Sequence, residues 1–431
     1  MELSHRLKAI TAVLEAEGDC QAYQVDGVVP RCVAVPTSEE EVAAVLAAAR
    51  ELEAVVAPRG AGSRGDLGNL PRRVDLVLSV ERLNRVVEYV PADMTVTVQA
   101  GMRYADLQQL VGEHGQMAAL DPPRWGRSTI GGLIVTNASG PERLAYGGAR
   151  DLLLGTRVAM TDGKVIKTGG RVVKNVAGYD MNKLIVGSLG TLGVVTELTL
   201  KLRPMPALAR TLCFGFASLE AAHEAAEVVL NAELVPTAVT ILSEGPTDRV
   251  GAPGPVALLV RLAETALNVA YQAERLAELL PGRMGMDLSG AAEERLWHGV
   301  REYGEGAVLQ VTLNTILADV ARQVQQAQQA GHGHSGGVAF DAIMHVGTGT
   351  VLLYGFDQGG GPAGLAAAAE ALGRQAAEAG GSAVVTTAPA AVKERIDVWG
   401  PPRPEWQIFT GIKRTFDPDG VLNRGRFVGG I

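Results

Sequence analysis

At 431 residues the chain has room for two or three domains, each able to bury its own core, and with 47% apolar and 20% charged residues it reads as an ordinary globular protein. A formal net charge of −8 leaves no basic footprint for nucleic acid, and no apolar run approaches the ~20 residues of a membrane helix. Three scattered cysteines, Cys20, Cys32 and Cys213, form no metal or redox spacing and suit a reducing cytoplasm, and the polar start MELSHRLKAI lacks a signal peptide's apolar stretch.

In chain order, the first clear element is a helix that Ser38 caps, with Glu41 completing a capping box and Val42, Val45, Leu46, Ala49 and Leu52 at helical spacing. A short strand, 54–57, leads into the glycine-rich loop APRGAGSRGDLG at 57–68. Beyond it, VDLVLS (74–79), VVEYV (86–90) and TVTVQAG (95–101) alternate as half-buried strands, and 103–114 is helical. Strand-rich sequence resumes over 150–202. After a linker expected at 203–209, two rounds of strand–helix–strand–strand–helix run to about residue 385, which predicts an antiparallel sheet with helices on one face. The expected division is therefore 1–205, 206–395 and a C-terminal segment, 396–431, that packs back on the first domain.

The loop poses the functional question. Gly60, Gly62 and Gly65 stand at G-x-G-x-x-G spacing, but a dinucleotide turn of that type must feed a helix. Gly68 and Pro71 oppose a helix there, and another strand follows. The loop alone leaves two readings: a nest of backbone N–H groups around a diphosphate, or a plain surface turn. A second small-residue stretch, DPPRWGRSTIGGLIVTNASGPERLAYGGARD (121–151), decides for the nest, because its small residues let a planar ring lie against main chain. A third, GRVVKNVAGYDMNKLIVGSLGTLGVVTE (170–197), adds Gly187, Gly190 and Gly193.

With PRGAGS, STIGGLIVTNASG, YGGARD and GSLGTLGVVTE in that order, the chain resembles flavoproteins of the vanillyl-alcohol oxidase type, over about residues 25–205 and again at FDPDGVLNRGRF. The stretch GGRVVKNVAGYDMNKLIVGSLGTLGVV is especially similar to the branch of the small flavin (E) subunit of bacterial glycolate oxidase. The resemblance implies an α+β fold: a PCMH-type FAD-binding domain of two α+β subdomains, then an α+β cap domain with an antiparallel sheet. It also implies that Pro58, Arg59, Gly60, Ala61, Gly62 and Ser63 hold the FAD diphosphate through main-chain amides. Pro122, Ser128, Thr129, Ile130, Gly131 and Gly132, with Asn137, Ala138, Ser139 and Gly140, would line the flavin and ribityl side. Gly190, Gly193 and Val194 would approach the adenine half, and Arg143, Tyr146 and Lys174 are the polar side chains expected near the cofactor. Some members tether FAD through a histidine in the first glycine loop. Neither of the first two glycine stretches here has one, so the FAD is expected to be non-covalent.

Catalytic relatives carry H-x-G-D-G-N-x-H and S-x-E-H-G motifs in the second domain, supplying metal ligands and a base. The corresponding stretch here is HVGTGTVLL (345–353): His345 remains, while Thr348, Thr350 and Leu352 replace the acid, the amide and the second histidine. His345 is accordingly the one candidate catalytic base, and no metal is expected. The histidines of AGHGHSGG, His332 and His334, read as part of a glycine-rich loop. Arg124, Arg127 and Arg143 are either carboxylate clamps or solvated side chains. The resemblance implies an FAD-binding subunit of a glycolate oxidase-like, 2-hydroxyacid-oxidising complex, with a larger FAD-containing subunit and an iron–sulfur subunit as partners. It would be cytoplasmic, membrane-peripheral only through those partners. The alternative is a self-sufficient FAD-dependent dehydrogenase of D-lactate or glycolate.

Overall fold

The computed structural model describes residues 2–170, 179–332 and 337–431. The chain divides into two compact units, one of Met1–Ser139, Gly148–Met205 and Pro402–Ile431, the other of Gly140–Gly147 and Pro206–Pro401.

The first unit holds two α+β layers. Its four-stranded sheet runs Ala12–Leu14, Cys32–Val35, Leu76–Ser79, Val56–Arg59, the first pair antiparallel and the rest parallel. Parallel strands need both faces covered. The helix Glu39–Glu51 covers one face through Val42, Val45, Leu46 and Ala49, and the other closes on Val25, Val33, Val74 and Val77. Ser38 caps that helix, its hydroxyl accepting from the Glu41 amide at 3.2 Å. The return arm of the expected capping box goes elsewhere: the Glu41 carboxylate accepts from the Thr37 amide at 2.8 Å and from the Thr11 hydroxyl at 2.9 Å, because it spans a neighbouring element. The second layer is a five-stranded antiparallel sheet, Val86–Val90, Thr95–Gln99, Val194–Lys201, Leu153–Ala159, Val165–Gly169. Its core gathers Val98, Leu198 and Leu200 with Leu107, Leu133 and Ile134. Glu39, at the N-terminal end of its helix, joins the layers by accepting from the Arg157 Nε at 3.0 Å and from the Thr196 hydroxyl at 2.6 Å.

The second unit is an eight-stranded antiparallel sheet in the order Met284–Ser289, Leu208–Phe216, Val256–Glu264, Ala238–Leu242, Val338–His345, Thr350–Asp357, Leu309–Asn314, Ser382–Thr387. Strand alternation sends Leu212, Phe214, Leu258 and Val260 to one face, beneath helices Leu219–Asn231, Ala266–Leu279, Val320–His332 and Gly361–Glu378. The expectation of helices on one face only is corrected here. Cys213, Ala257 and Leu259 point the other way, where the helix Ala291–Arg301 covers them with Leu296, Trp297 and Val300. The unbroken apolar run VALLV (256–260) carried that signal, since a strand bare on one face would alternate. Residues 140–147 sit in this unit through Glu142, whose carboxylate accepts from Arg261; the Arg261 Nε also donates to Glu293 at 2.6 Å.

Candidate functional site

A cleft of about 1000 Å³, its open mouth included, lies within the first unit at the end of strand Val56–Arg59. Residues 57–68 form its floor, and the three glycine-rich stretches meet there as the sequence suggests they should.

The floor is a helix-free bend. Gly62 adopts φ +71°, Gly65 closes a turn on the Gly62 carbonyl at 3.2 Å, and the chain runs on to the parallel strand Leu76–Ser79. A helix-borne dinucleotide turn is thereby excluded. The consecutive amides of Gly60, Ala61, Gly62 and Ser63 have no acceptor among the described residues. These residues are half-buried to exposed, and a row of such amides along a cleft is a receptor for a multiply charged oxyanion.

Close packing leaves no room for a Cβ at several glycines of the cleft. A Cβ on Gly60 would stand 2.1 Å from the Thr129 hydroxyl oxygen, and one on Gly131 would meet the Ala100 Cβ and carbonyl oxygen, both at 2.8 Å. On Gly193 it would stand 2.4 Å from Val158. Thr129 caps the short helix Ile130–Val135, accepting from the Gly132 amide at 3.3 Å. Ser128, almost wholly buried, stands 3.0 Å from the Ser63 hydroxyl, and the Arg124 Nη1 donates to the Ser63 carbonyl at 2.7 Å. Arg124 thus braces the loop, which answers its open reading as a clamp.

Of the residues expected at the site, Pro58, Arg59, Gly60, Ala61, Gly62, Ser63, Thr129, Gly131, Gly132, Gly190, Gly193 and Val194 line the cleft. Ser128 supports the loop from behind. Ile130 and Ala138 are buried in the layer's core, Pro122 is buried and Asn137 is exposed. Gly140, Arg143 and Tyr146 belong to the second unit. Lys174 and His334 lie outside the described residues.

Sequence reasoning missed several parts of the wall, Val80 and Ala100 at strand ends among them. Gln24 and Val25 arrive from the N-terminal segment, with no local motif to mark them. Asn423 and Arg426 come from FDPDGVLNRGRF, whose cluster of turn residues was the available signal. Asn423, at φ +43°, donates from its amide to the Val56 carbonyl at 2.9 Å and from Nδ2 to Leu189 at 2.5 Å. The Arg426 Nη2 donates to the carbonyls of Gly65 and Leu67. A buried clasp holds this tail: the Lys413 Nζ donates to Asp417 at 2.6 Å, Leu422 at 2.8 Å and Thr191 at 2.9 Å, while Asp417 accepts from the amides of Val421 and Leu422. Burial pushes the Arg59 and Arg426 pKa values down, and an anion in the cleft would offset that pressure.

His345, the candidate base, lies in the second unit. It ends strand Val338–His345 in the second unit at 5% exposure, its Nδ1 stands 3.1 Å from the Thr240 hydroxyl, and burial pushes its pKa down to about 4. A general base works best near the operating pH and within reach of its substrate. The ring's geometry fits a neutral member of the sheet instead. Among the described residues no three His, Cys, Asp or Glu side chains converge as metal ligands, and no helix is long and apolar enough to cross a membrane.

Comparison with known proteins agrees with the cleft. Residues 30–169 match the family described as the FAD binding domain. The chain is 35% identical to glycolate oxidase subunit GlcD of Bacillus subtilis (strain 168) over 50% of this chain, a match that covers 46% of that relative, less than half its length. To GlcD of Escherichia coli (strain K12) it is 28% identical over 96% of this chain and 88% of the relative. Glycolate oxidase subunit GlcE of the same organism matches at 38% identity, over 33% of this chain and 41% of the relative. The expected special likeness to the small E subunit is corrected by these spans, since the D subunit matches nearly throughout. Among solved structures, p-cresol methylhydroxylase with substrate bound superposes with a TM-score of 0.78 at 15% identity, covering 98% of this chain and 96% of that one. The fold is that of PCMH-type flavoproteins and the cofactor is FAD. The residues present fit it: unmet amides suit a diphosphate, and glycines that tolerate no Cβ suit a flat ring held against main chain.

Proposed function

We propose that the chain is an FAD-dependent oxidoreductase of small 2-hydroxy acids, acting as a flavin-bearing subunit of a glycolate oxidase-like complex. One observation carries the reading: four consecutive amides without acceptors, Gly60 to Ser63, face a cleft walled by the other two glycine-rich stretches. The similarity to GlcD subunits supports the substrate class. When bound, FAD supplies the hydride acceptor for the carbon bearing the substrate hydroxyl.

The chain's own residues hold that cofactor. Gly60–Ser63 receive the diphosphate, while Gly131, Gly132 and Thr129 wall the ring side without crowding it. The tail closes the opposite wall through Asn423 and Arg426. With no histidine in either of the first two glycine stretches, the FAD is held without a covalent bond. The three cysteines are single and buried, whereas an iron–sulfur cluster takes four thiolates; onward electron transfer therefore falls to partners, a second flavin subunit and an iron–sulfur subunit. Any membrane association comes through them.

The test is anaerobic mixing of the FAD-loaded chain, alone and with co-purified partners, with glycolate and D-lactate while flavin absorbance is followed. The complex bleaches and passes electrons to a dye, and the isolated chain does so slowly. Rapid bleaching of the isolated chain assigns a self-sufficient dehydrogenase instead. No bleaching of the complex by either acid removes the substrate class.

A further inference from the structure

The Arg59 side chain has no role in a site built from main-chain amides, yet its surroundings are those of an unfinished ion-binding group. Its guanidinium is steered from two sides: Nη1 donates to the Ala22 carbonyl at 3.0 Å, and the group lies over the Tyr23 ring, 4.8 Å from the centroid. These contacts turn it back beneath the glycine loop, so a Cβ on Gly62 would fall 2.5 Å from both Nε and Nη2. Its Nε is buried with no hydrogen-bond partner among the described residues. The carboxylate whose charge it feels, Glu81, is engaged by Arg103 at 2.8 Å. A half-buried cation with a buried, unpartnered Nε thus stands beside four unmet amide donors, an arrangement that favours an anion.

We propose that the Arg59 guanidinium is the counter-charge of the FAD diphosphate, giving the site its preference for a diphosphate-bearing flavin over flavins that lack one. This rests on the FAD reading above and adds a side-chain ligand to it. Burial lowers the Arg59 pKa, and a bound diphosphate reverses that pressure by supplying the missing opposite charge. Tyr23 and Ala22 act as positioning groups that hold the planar fork ready, so little side-chain entropy is lost on binding.

The test compares wild type with Arg59→Met, which keeps the apolar stem, and with Arg59→Lys, which keeps the charge and loses the fork. Equilibrium binding of FAD, FMN and riboflavin is followed by flavin fluorescence, beside the melting temperature of the flavin-free proteins. Hydrogen bonds to charged groups contribute about 1.5–3 kcal/mol, so FAD affinity should fall roughly 10- to 150-fold in Arg59→Met. Riboflavin affinity should stay within about twofold, and the FAD-to-riboflavin preference should be partly restored in Arg59→Lys. The flavin-free Arg59→Met protein should melt no lower than wild type, because an uncompensated, half-buried charge has been removed. Equal losses for FAD and riboflavin, or unchanged FAD affinity, overturn the assignment of Arg59 while leaving FAD as the cofactor. A wild-type protein that takes up no FAD overturns the underlying reading.

Discussion

Around the cleft of the first unit the amides of Gly60 to Ser63 find no acceptor among the described residues, while in the second unit two groups of buried polar side chains close on one another. There the Trp297 indole donates to the Thr211 hydroxyl at 2.8 Å, Thr211 donates to Glu293 at 2.9 Å, and His345 meets Thr240 at 3.1 Å. The contrast separates a place built to receive something from a place built to stay put. Donors left open along a cleft are free to take a ligand; satisfied networks fix a single arrangement of the sheet. Substitutions in the cleft should therefore be read out in ligand affinity, and those in satisfied networks in stability.

The largest effect expected belongs to the one satisfied network that serves the cleft. Lys413→Met removes the cation that holds Asp417 and the carbonyls of Thr191 and Leu422. Breaking a buried ion pair by deleting one partner costs about 3–5 kcal/mol. Calorimetry should show the first unit's transition falling by that amount, with FAD affinity falling too because Asn423 and Arg426 lose their anchor. A double substitution that also neutralises the acid, Asp417→Asn, should recover part of the stability. Loss of affinity with no loss of stability would break the division drawn above.

His345 sharpens the comparison from the other side. Its folded pKa of about 4 lies below the ~6.5 of an exposed imidazole, so between those values the unfolded chain takes up a proton that the folded chain refuses. Stability is complete above pH 6.5 and is lost as the pH falls toward 4, by roughly 3 kcal/mol. His345→Gln keeps a hydrogen-bonding group for Thr240 and removes this acid slope. Denaturant unfolding at pH 7 and pH 4.5 should show the two proteins differing in slope, with FAD binding at pH 7 unchanged. A strong loss of turnover at pH 7 in a well-folded His345→Gln protein would return the ring to catalysis.

Gly60→Ala is the complementary change. Its Cβ falls 2.1 Å from the Thr129 oxygen, so the loop or the cap of Ile130–Val135 must shift. Overpacking costs about 1–3 kcal/mol, and about 2 kcal/mol of it appearing in binding means FAD affinity roughly 30-fold weaker. The second unit's transition should not move. An unchanged dissociation constant would show that the amides do not hold the diphosphate.

What could be read from sequence follows the same division. The helix after Ser38 and the strands expected at 74–79 and 95–101, observed as Leu76–Ser79 and Thr95–Gln99, were legible because periodicity and capping are local. The bend after Arg59 was legible because Gly68 and Pro71 forbid the helix that a dinucleotide turn needs. Gln24, Val25, Asn423 and Arg426 were not, since they enter the cleft from segments distant in sequence and tertiary packing alone brings them there. Arg59 illustrates a subtler limit. Its place in PRGAGS was plain, but an unpartnered Nε is a property of what surrounds a side chain. For His345 a surviving motif residue suggested a base, and only burial against Thr240 shows why an imidazole there stays neutral.

The smallest effect tests whether the two units differ anywhere except at the cleft. Ser38 in the first unit and Ser218 in the second cap helices in the same way, their hydroxyls accepting from the amides of Glu41 at 3.2 Å and Ala221 at 3.3 Å. Each helix is 13 residues long and packs one apolar face on its sheet. Loss of such a cap costs about 1 kcal/mol. Ser38→Ala and Ser218→Ala should therefore destabilise their own unit by similar amounts, resolved as separate shifts in a calorimetric trace. Neither should alter FAD affinity, because the helix Glu39–Glu51 supports the sheet through Val42 and Leu46 and contributes no residue to the cleft wall. A Ser38→Ala protein that bound FAD tenfold more weakly would show that sheet packing, and not the glycine bend alone, sets the geometry of the amides.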